Sequence, residues 1–304
     1  MSSRWSARVP FRMAAMAARV RDALSLGGAA VVVFFLFALT GVSWGAELLV
    51  FAGAAAKPPL EEIAGSFTRR TGVTVKTTFG GSGFVLSQMA LAGRGDVYFP
   101  GSSDYMEIAK ARGIVPPQTE RIVAYLVPAV VVQKGNPKNI KSLHDLTRPG
   151  LRVAIADPEG VCVGLYAVEI VERNFSPEAK AAFRRNLVSY TDSCEKTAAA
   201  VSLKAVDAVI GWEVFRRWDP HRLEVIPLKK GEIARIGYLP IGVTKFASDR
   251  ALAQRFVDFV LSPEGKAVFR RHGYFISPEE ARSWIGAPKP VGGEYRPPRD
   301  WIRR

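Results

Sequence analysis

The sequence predicts an α/β fold of mostly parallel sheets flanked by helices. Three observations carry that prediction. Short apolar segments that read as strands alternate with segments at helical spacing along residues 47–272. Several strand segments end in Gly, Ala or Ser and run straight into a helix, as at Gly53–Lys57 and Gly80–Gly83. Two long apolar stretches, 122–132 and 234–243, are suited to crossing between two lobes.

The chain has 304 residues, enough for one large domain or two lobes. Hydrophobic residues make up 48% and charged residues 23%, which excludes a disordered, collagen-like or disulfide-dense chain. Lys plus Arg is 42 against 28 acids, a formal net charge of +14 that invites a nucleic-acid or membrane-surface partner. Two Cys cannot supply the four ligands of a zinc-finger type site. His144, His221 and His272 fall in separate segments, so no metal site is expected.

Residues 1–46 read as an export signal. Arg4, Arg8, Arg12, Arg19 and Arg21 form a basic stretch, Ala29–Leu39 is an unbroken apolar run, and Gly41–Ala46 is a small-residue region interrupted by Trp44. The apolar run is shorter than the roughly 20 residues of a spanning helix. An uncleaved N-terminal anchor is the alternative, and Met13 or Met16 could be the start. Five Arg and one Asp leave with this segment, so the charge falls to +10. An exported protein meets no genome, which takes most of the weight from the nucleic-acid reading. Export also places the two Cys where a disulfide is allowed.

In chain order, Glu47–Ala52 reads as a buried strand. Pro58 and Pro59 then open a helix whose apolar face is Leu60, Ile63, Ala64 and Phe67. Val73–Phe79 alternates as a strand, and the next helix carries Val85, Leu86, Met89 and Leu91. Asp96–Pro100 is a short strand, followed by a helix to Ala111 with Asp104 and Glu107 as a capping-box pair. Leu143–Leu146 is a short helix and Leu151–Ala156 a strand. The loop 157–164 leads into a helix ending near Arg173, and Ser176-Pro177 starts another. Strands at Leu187–Tyr190, Ala205–Gly211 and Leu223–Leu228 follow, with a helix from Cys194 to about Leu203. Helices 251–261 and 263–272 close the body, and the Pro- and Arg-rich residues after Phe275 read as a tail with net charge +2.

In open α/β sheets, ligands sit at the carboxyl ends of strands. Here those ends are Gly53–Lys57, Gly80–Gly83, Val161–Gly164, Cys194 and Trp212. Helix N-termini offer free N–H groups and a partial positive charge, and small residues let an anion approach them. Ser82 adds a hydroxyl and Lys57 a cation, so the pattern points to a cradle for a small oxyanion; ordinary tight turns would look the same. Cys162 precedes a helix, where a thiolate is favoured, but no His is placed as its base. A structural Cys162–Cys194 disulfide is the preferred reading of the pair. Its 32-residue separation would contribute on the order of 3–4 kcal/mol in the chain-entropy model.

Several motifs resemble periplasmic molybdate-binding proteins of ABC transporters. They are Phe51-Ala-Gly-Ala-Ala-Ala-Lys-Pro-Pro-Leu-Glu-Glu-Ile-Ala64, Phe79-Gly-Gly-Ser-Gly83, Gly95-Asp-Val-Tyr-Phe-Pro-Gly101, Val153-Ala-Ile-Ala-Asp-Pro-Glu159 and the closing Ser262-to-Phe275 run. Their order and spacing cover residues 47–276. The resemblance implies a two-lobed type II periplasmic binding protein fold with the ligand cleft between lobes. It implies lobe 1 at 47–124 and 240–276, lobe 2 at 125–239, a signal at 1–46 and a tail at 277–304. A first-turn serine of the family falls on Ala55, beside Ala56 and Lys57, and a second-turn serine on Ser82, beside Gly83. Backbone contacts fall on Val163, beside Cys162, and on Cys194; a tyrosine falls on Trp212. The two Cys thus lie on loops that converge on the ligand in the family, which strengthens the disulfide reading.

The implied protein is no enzyme. It captures molybdate, tungstate or another tetrahedral anion in the periplasm, needs no cofactor, works as a monomer and passes its ligand to an ABC permease. Its lobes would close about hinges near Ala124–Pro128 and Tyr238–Ile241. The loss of a hydroxyl at Ala55 and the indole at Trp212 leave the choice of anion open. An organic solute stacked on Trp212, or a secreted thiol-dependent enzyme, are the rival readings.

Overall fold

The computed structural model describes residues 46–302, so all but the last residue of the segment expected to be an export signal lies outside the described residues. No helix among the described residues is long and apolar enough to cross a membrane.

The first lobe starts with β1 (Glu47–Gly53), a 3-10 turn at Ala54–Ala56 and α1 (Lys57–Thr71). Then come β2 (Thr74–Gly80), α2 (Ser82–Ala92), β3 (Val97–Phe99), α3 (Ser103–Ala111) and β4 (Arg121–Leu126). The second lobe contains β5 (Pro128–Gln133), β6 (Val153–Ala156), α4 (Cys162–Asn174), α5 (Pro177–Asn186), β7 (Leu187–Thr191), α6 (Cys194–Ser202), β8 (Ala208–Trp212), the short α7 (Phe215–Trp218) and β9 (Leu223–Pro227). The chain returns through β10 (Gly237–Val243) and ends with α8 (Arg250–Leu261), α9 (Pro263–Arg271) and α10 (Pro278–Ile285).

The two sheets repeat one plan. Their strand orders are β2-β1-β3-β10-β4 and β7-β6-β8-β5-β9. In each, the first three strands pair in parallel and the last two pair antiparallel. The sheets are therefore mixed, because the crossing strands β10 and β5 each run against the parallel half. The chain passes from the first sheet to the second at Val127, between β4 and β5. It returns between Leu228 and Ile236, ahead of the Tyr238–Ile241 position expected for the second hinge, which lies inside β10.

Sequence patterns explain the local structure. Leu60, Ile63, Ala64 and Phe67 form the buried face of α1, and prolines occupy its first turn. Gly72 ends that helix at φ 73°, a left-handed conformation that suits glycine. Two local expectations differ. Leu91 is 90% exposed, because α2 buries Val85, Leu86 and Met89 and turns Leu91 outward. The Asp104–Glu107 capping box is not made: Ser102 is the N-cap, Asp104 bonds Arg235 and Glu107 pairs with Lys110. The residues after Phe275 are packed rather than trailing. They include α10, and Trp301 is 1% exposed in the second lobe, where its indole donates to Glu172 at 2.7 Å.

Candidate functional site

Strand register brings the small-residue turns together. Gly53 lies opposite Gly80, and Ala52 opposite Phe99, so Ala54–Ala56, Gly81–Ser82 and Pro100–Ser102 leave one edge of the first sheet side by side. In the second sheet Ala156 lies opposite Thr191, and Trp212 ends β8. That edge carries the N-termini of α4 and α6. The two edges face each other across the seam between the lobes. Buried apolar residues run without a break from Ala52 and Phe99 of the first lobe to Cys194 and Trp212 of the second.

The seam is tightly closed. Gly83 N–H donates to Gly160 O at 2.8 Å, and Tyr105 O–H donates to Pro158 O at 3.3 Å. Ser82 is 1% exposed, and its Oγ accepts the Gly101 N–H at 2.9 Å. Gly101 is required sterically, since a Cβ there would collide with Cys162 Sγ and press on Ala55 Cβ at 3.0 Å. Ala55 and Ala56 are fully buried, and Tyr274 O–H bonds Ala55 O.

From the second lobe, Cys162, Val163, Cys194 and Trp212 are all buried. The two sulfurs stand 3.6 Å apart as free thiols, so the expected disulfide is not formed in this structure. Burial pushes the Cys194 thiol well above its usual range, and the hydrogen bond with Cys162 adds to this; the Val163 N–H and the Trp212 indole oppose it. The Trp212 indole N–H has no conventional hydrogen-bond partner. Tyr166 packs edge-on to Trp212 at 4.7 Å between ring centroids, and its buried hydroxyl also lacks a partner. Ser102 Oγ, next to Gly101, is a third buried polar atom without one. Buried polar groups are normally satisfied, so orphaned groups at one seam mark a place where a polar ligand fits.

Most of the sequence-expected residues are thus brought together: Ala55, Ala56, Ser82, Gly83, Cys162, Val163, Cys194 and Trp212. Lys57 is different. Its Nζ bonds Glu195 of α6 at 2.9 Å on the rim, and that hydrogen bond raises its pKa. Its charge is answered by the opposite lobe and is not directed at the seam. A cavity of about 360 Å³ reaching Trp218 opens on one side of this ion pair, and one of about 720 Å³ reaching Phe84 on the other.

Sequence reasoning missed Gly101, Ser102, Tyr166 and Tyr274. Only the Pro-Gly-Ser-Ser turn after β3 carried a local signal, being another strand end followed by a helix. No group of three or more His, Cys, Asp or Glu side chains suited to a metal ion occurs among the described residues.

A profile of bacterial extracellular solute-binding proteins matches residues 48–275. The molybdate-binding protein ModA of Rhodobacter capsulatus is 24% identical over 232 residues, 75% of this chain and 88% of that protein. The sulfate-binding protein of Synechococcus elongatus is 26% identical over 247 residues, 73% of this chain and 69% of that protein. Among solved structures, the periplasmic molybdate-binding protein of Azotobacter vinelandii superposes with a TM-score of 0.64 at 20% identity, covering 76% of this chain and 99% of that one.

Proposed function

This chain belongs to the bacterial extracellular solute-binding proteins, and from that premise we propose that it captures a tetrahedral oxyanion in the seam and delivers it to an ABC permease. Molybdate or tungstate is the preferred ligand. The reading places the protein in the periplasm after loss of residues 1–46, working as a monomer.

The observation that carries the reading is the convergence of neutral donors at one buried seam. Ser82, the indole N–H of Trp212, the Ser102 hydroxyl and the N-termini of α4 and α6 line it or border it. Helix N-termini and hydroxyls can hold a dianion without a cation, and they keep it readily released. Lys57 on the rim supplies attraction during approach and a latch once closed. Relatives named for molybdate and for sulfate support the oxyanion class, and sulfate is the second reading because of the latter. The membership itself is in a family of binding proteins, not of enzymes.

Calorimetric titration with molybdate, tungstate, sulfate and phosphate tests this. Saturable binding is expected, tightest for molybdate or tungstate. Tightest binding for sulfate would select the second reading, and no heat and no thermal stabilisation with any of the four at millimolar concentration would overturn both.

A further inference from the structure

Two buried thiols sit in the seam with no part yet in holding a ligand. Cys162 is the first residue of α4 and Cys194 the first of α6, so both project from the second lobe. Their sulfurs are 3.6 Å apart, a non-bonded contact, against about 2.05 Å in a disulfide. Cys162 Sγ has a second neighbour across the seam: it lies against Gly101, where a side chain would collide with it. Gly101 is in turn the residue whose N–H is held by Ser82 Oγ. The reduced Cys162 side chain therefore fills the gap between the second lobe and the Ala55–Ser82–Gly101 wall.

We propose that Cys162 and Cys194 are a reversible dithiol–disulfide couple, and that oxidation draws Cys162 Sγ off Gly101 and opens the space that the anion occupies. This rests on the oxyanion reading of the same seam. The reduced chain then holds its lobes together through sulfur packing, and only the oxidised chain presents a full site. A chain that leaves a reducing compartment for an oxidising one would gain its ligand site on arrival.

The chemistry balances with a disulfide oxidant. One cysteine loses its proton, attacks the oxidant's disulfide and forms a mixed disulfide, releasing one oxidant thiolate. The second cysteine loses its proton and displaces the other oxidant sulfur. Two protons and two electrons leave the protein, one S–S bond forms in it, and the oxidant departs as two thiols. Cys162 and Cys194 are 1% and 2% exposed, so exchange proceeds from an opened state of the lobes.

The test equilibrates the purified full chain with reduced and oxidised glutathione mixtures and counts thiols by alkylation after denaturation. Each form is then titrated with molybdate by calorimetry, and the ligand-free forms are compared by small-angle X-ray scattering. Loss of both thiols within one chain is expected, with a less compact ligand-free form and molybdate affinity at least about tenfold higher after oxidation. The Cys162→Ser, Cys194→Ser double variant should lose this redox dependence. Thiols that stay free at every glutathione ratio overturn the proposal, as does a disulfide that changes neither scattering nor affinity. Equal binding by both forms leaves the oxyanion reading standing. A redox-dependent change in compactness with no oxyanion bound by either form would support the couple's effect on the seam and overturn the oxyanion reading instead.

Discussion

Ser82 Oγ accepts the Gly101 N–H from inside the seam, so its own hydroxyl proton is free to be given to a ligand. Two effects follow for Ser82→Ala. The buried Gly101 N–H loses its acceptor, which should cost about 1–3 kcal/mol of stability. A lost hydrogen bond to a charged ligand should weaken oxyanion binding by about 1.5–3 kcal/mol. Urea unfolding reads the first effect and calorimetry the second; unchanged affinity in a variant that folds would remove Ser82 from the site. The turn that holds Ser82 was legible as a Gly-rich passage from a strand into a helix, a pattern that suits either a tight turn or an anion cradle. Gly101 and Tyr274 were not, since one acts by having no side chain and the other reaches Ala55 from 219 residues away along the chain. Lys57 was legible as a cation, but the sequence could not tell that Glu195 of the facing lobe would meet it.

Elements whose signals are local followed their signals. Prolines and serines mark helix starts, and Ser176, Ser262 and Ser277 each accept a backbone N–H at the head of α5, α9 and α10. Ser176→Ala should therefore lower stability by about 1 kcal/mol. α5 follows α4 and leads into β7, which is an edge strand of the second sheet, so oxyanion affinity should not move. A fall in the urea midpoint with an unchanged calorimetric affinity is the expected pair of results, and a loss of affinity would mean that the outer edge is coupled to the seam. Elements whose role depends on distant partners departed from the local pattern. Leu91 departed for a local reason instead: it follows Ser87 by four residues and Gln88 by three, on the face opposite Val85, Leu86 and Met89, so helical spacing turns it outward although it is apolar. The tail is Pro- and Arg-rich, yet its Trp301 docks between Phe183 and the Arg184 guanidinium, which no local pattern reveals.

At the scale of the whole molecule, one buried cation ties the two lobes and the tail together. Arg235 lies on the return passage between β9 and β10 and is 6% exposed. Its guanidinium bonds Asp104 of α3 at 3.0 Å and Glu169 of α4 at 2.7 Å, joining a helix of each lobe. Asp104 also accepts the Tyr295 N–H of the tail at 2.9 Å, and Gly293 O accepts from Arg235 and from Ser103 Oγ. The same guanidinium lies 4.1 Å over the Tyr166 ring, which touches Trp212 in the seam. Burying one cation with two carboxylates is costly unless every partner is present, so the arrangement is sensitive to the loss of its centre. Arg235→Met would leave Asp104 and Glu169 buried without their shared cation and should destabilise the protein by about 3–5 kcal/mol. Urea denaturation measures this as a lower midpoint at an unchanged slope. Replacing all three charges together by apolar residues of similar volume should recover most of the loss, because no buried charge is then unpaired. If the single variant unfolds at the same midpoint as the parent, the cluster is not what holds the return passage. If the triple variant is no better than the single one, the hydrogen bonds to the tail carry the stability instead.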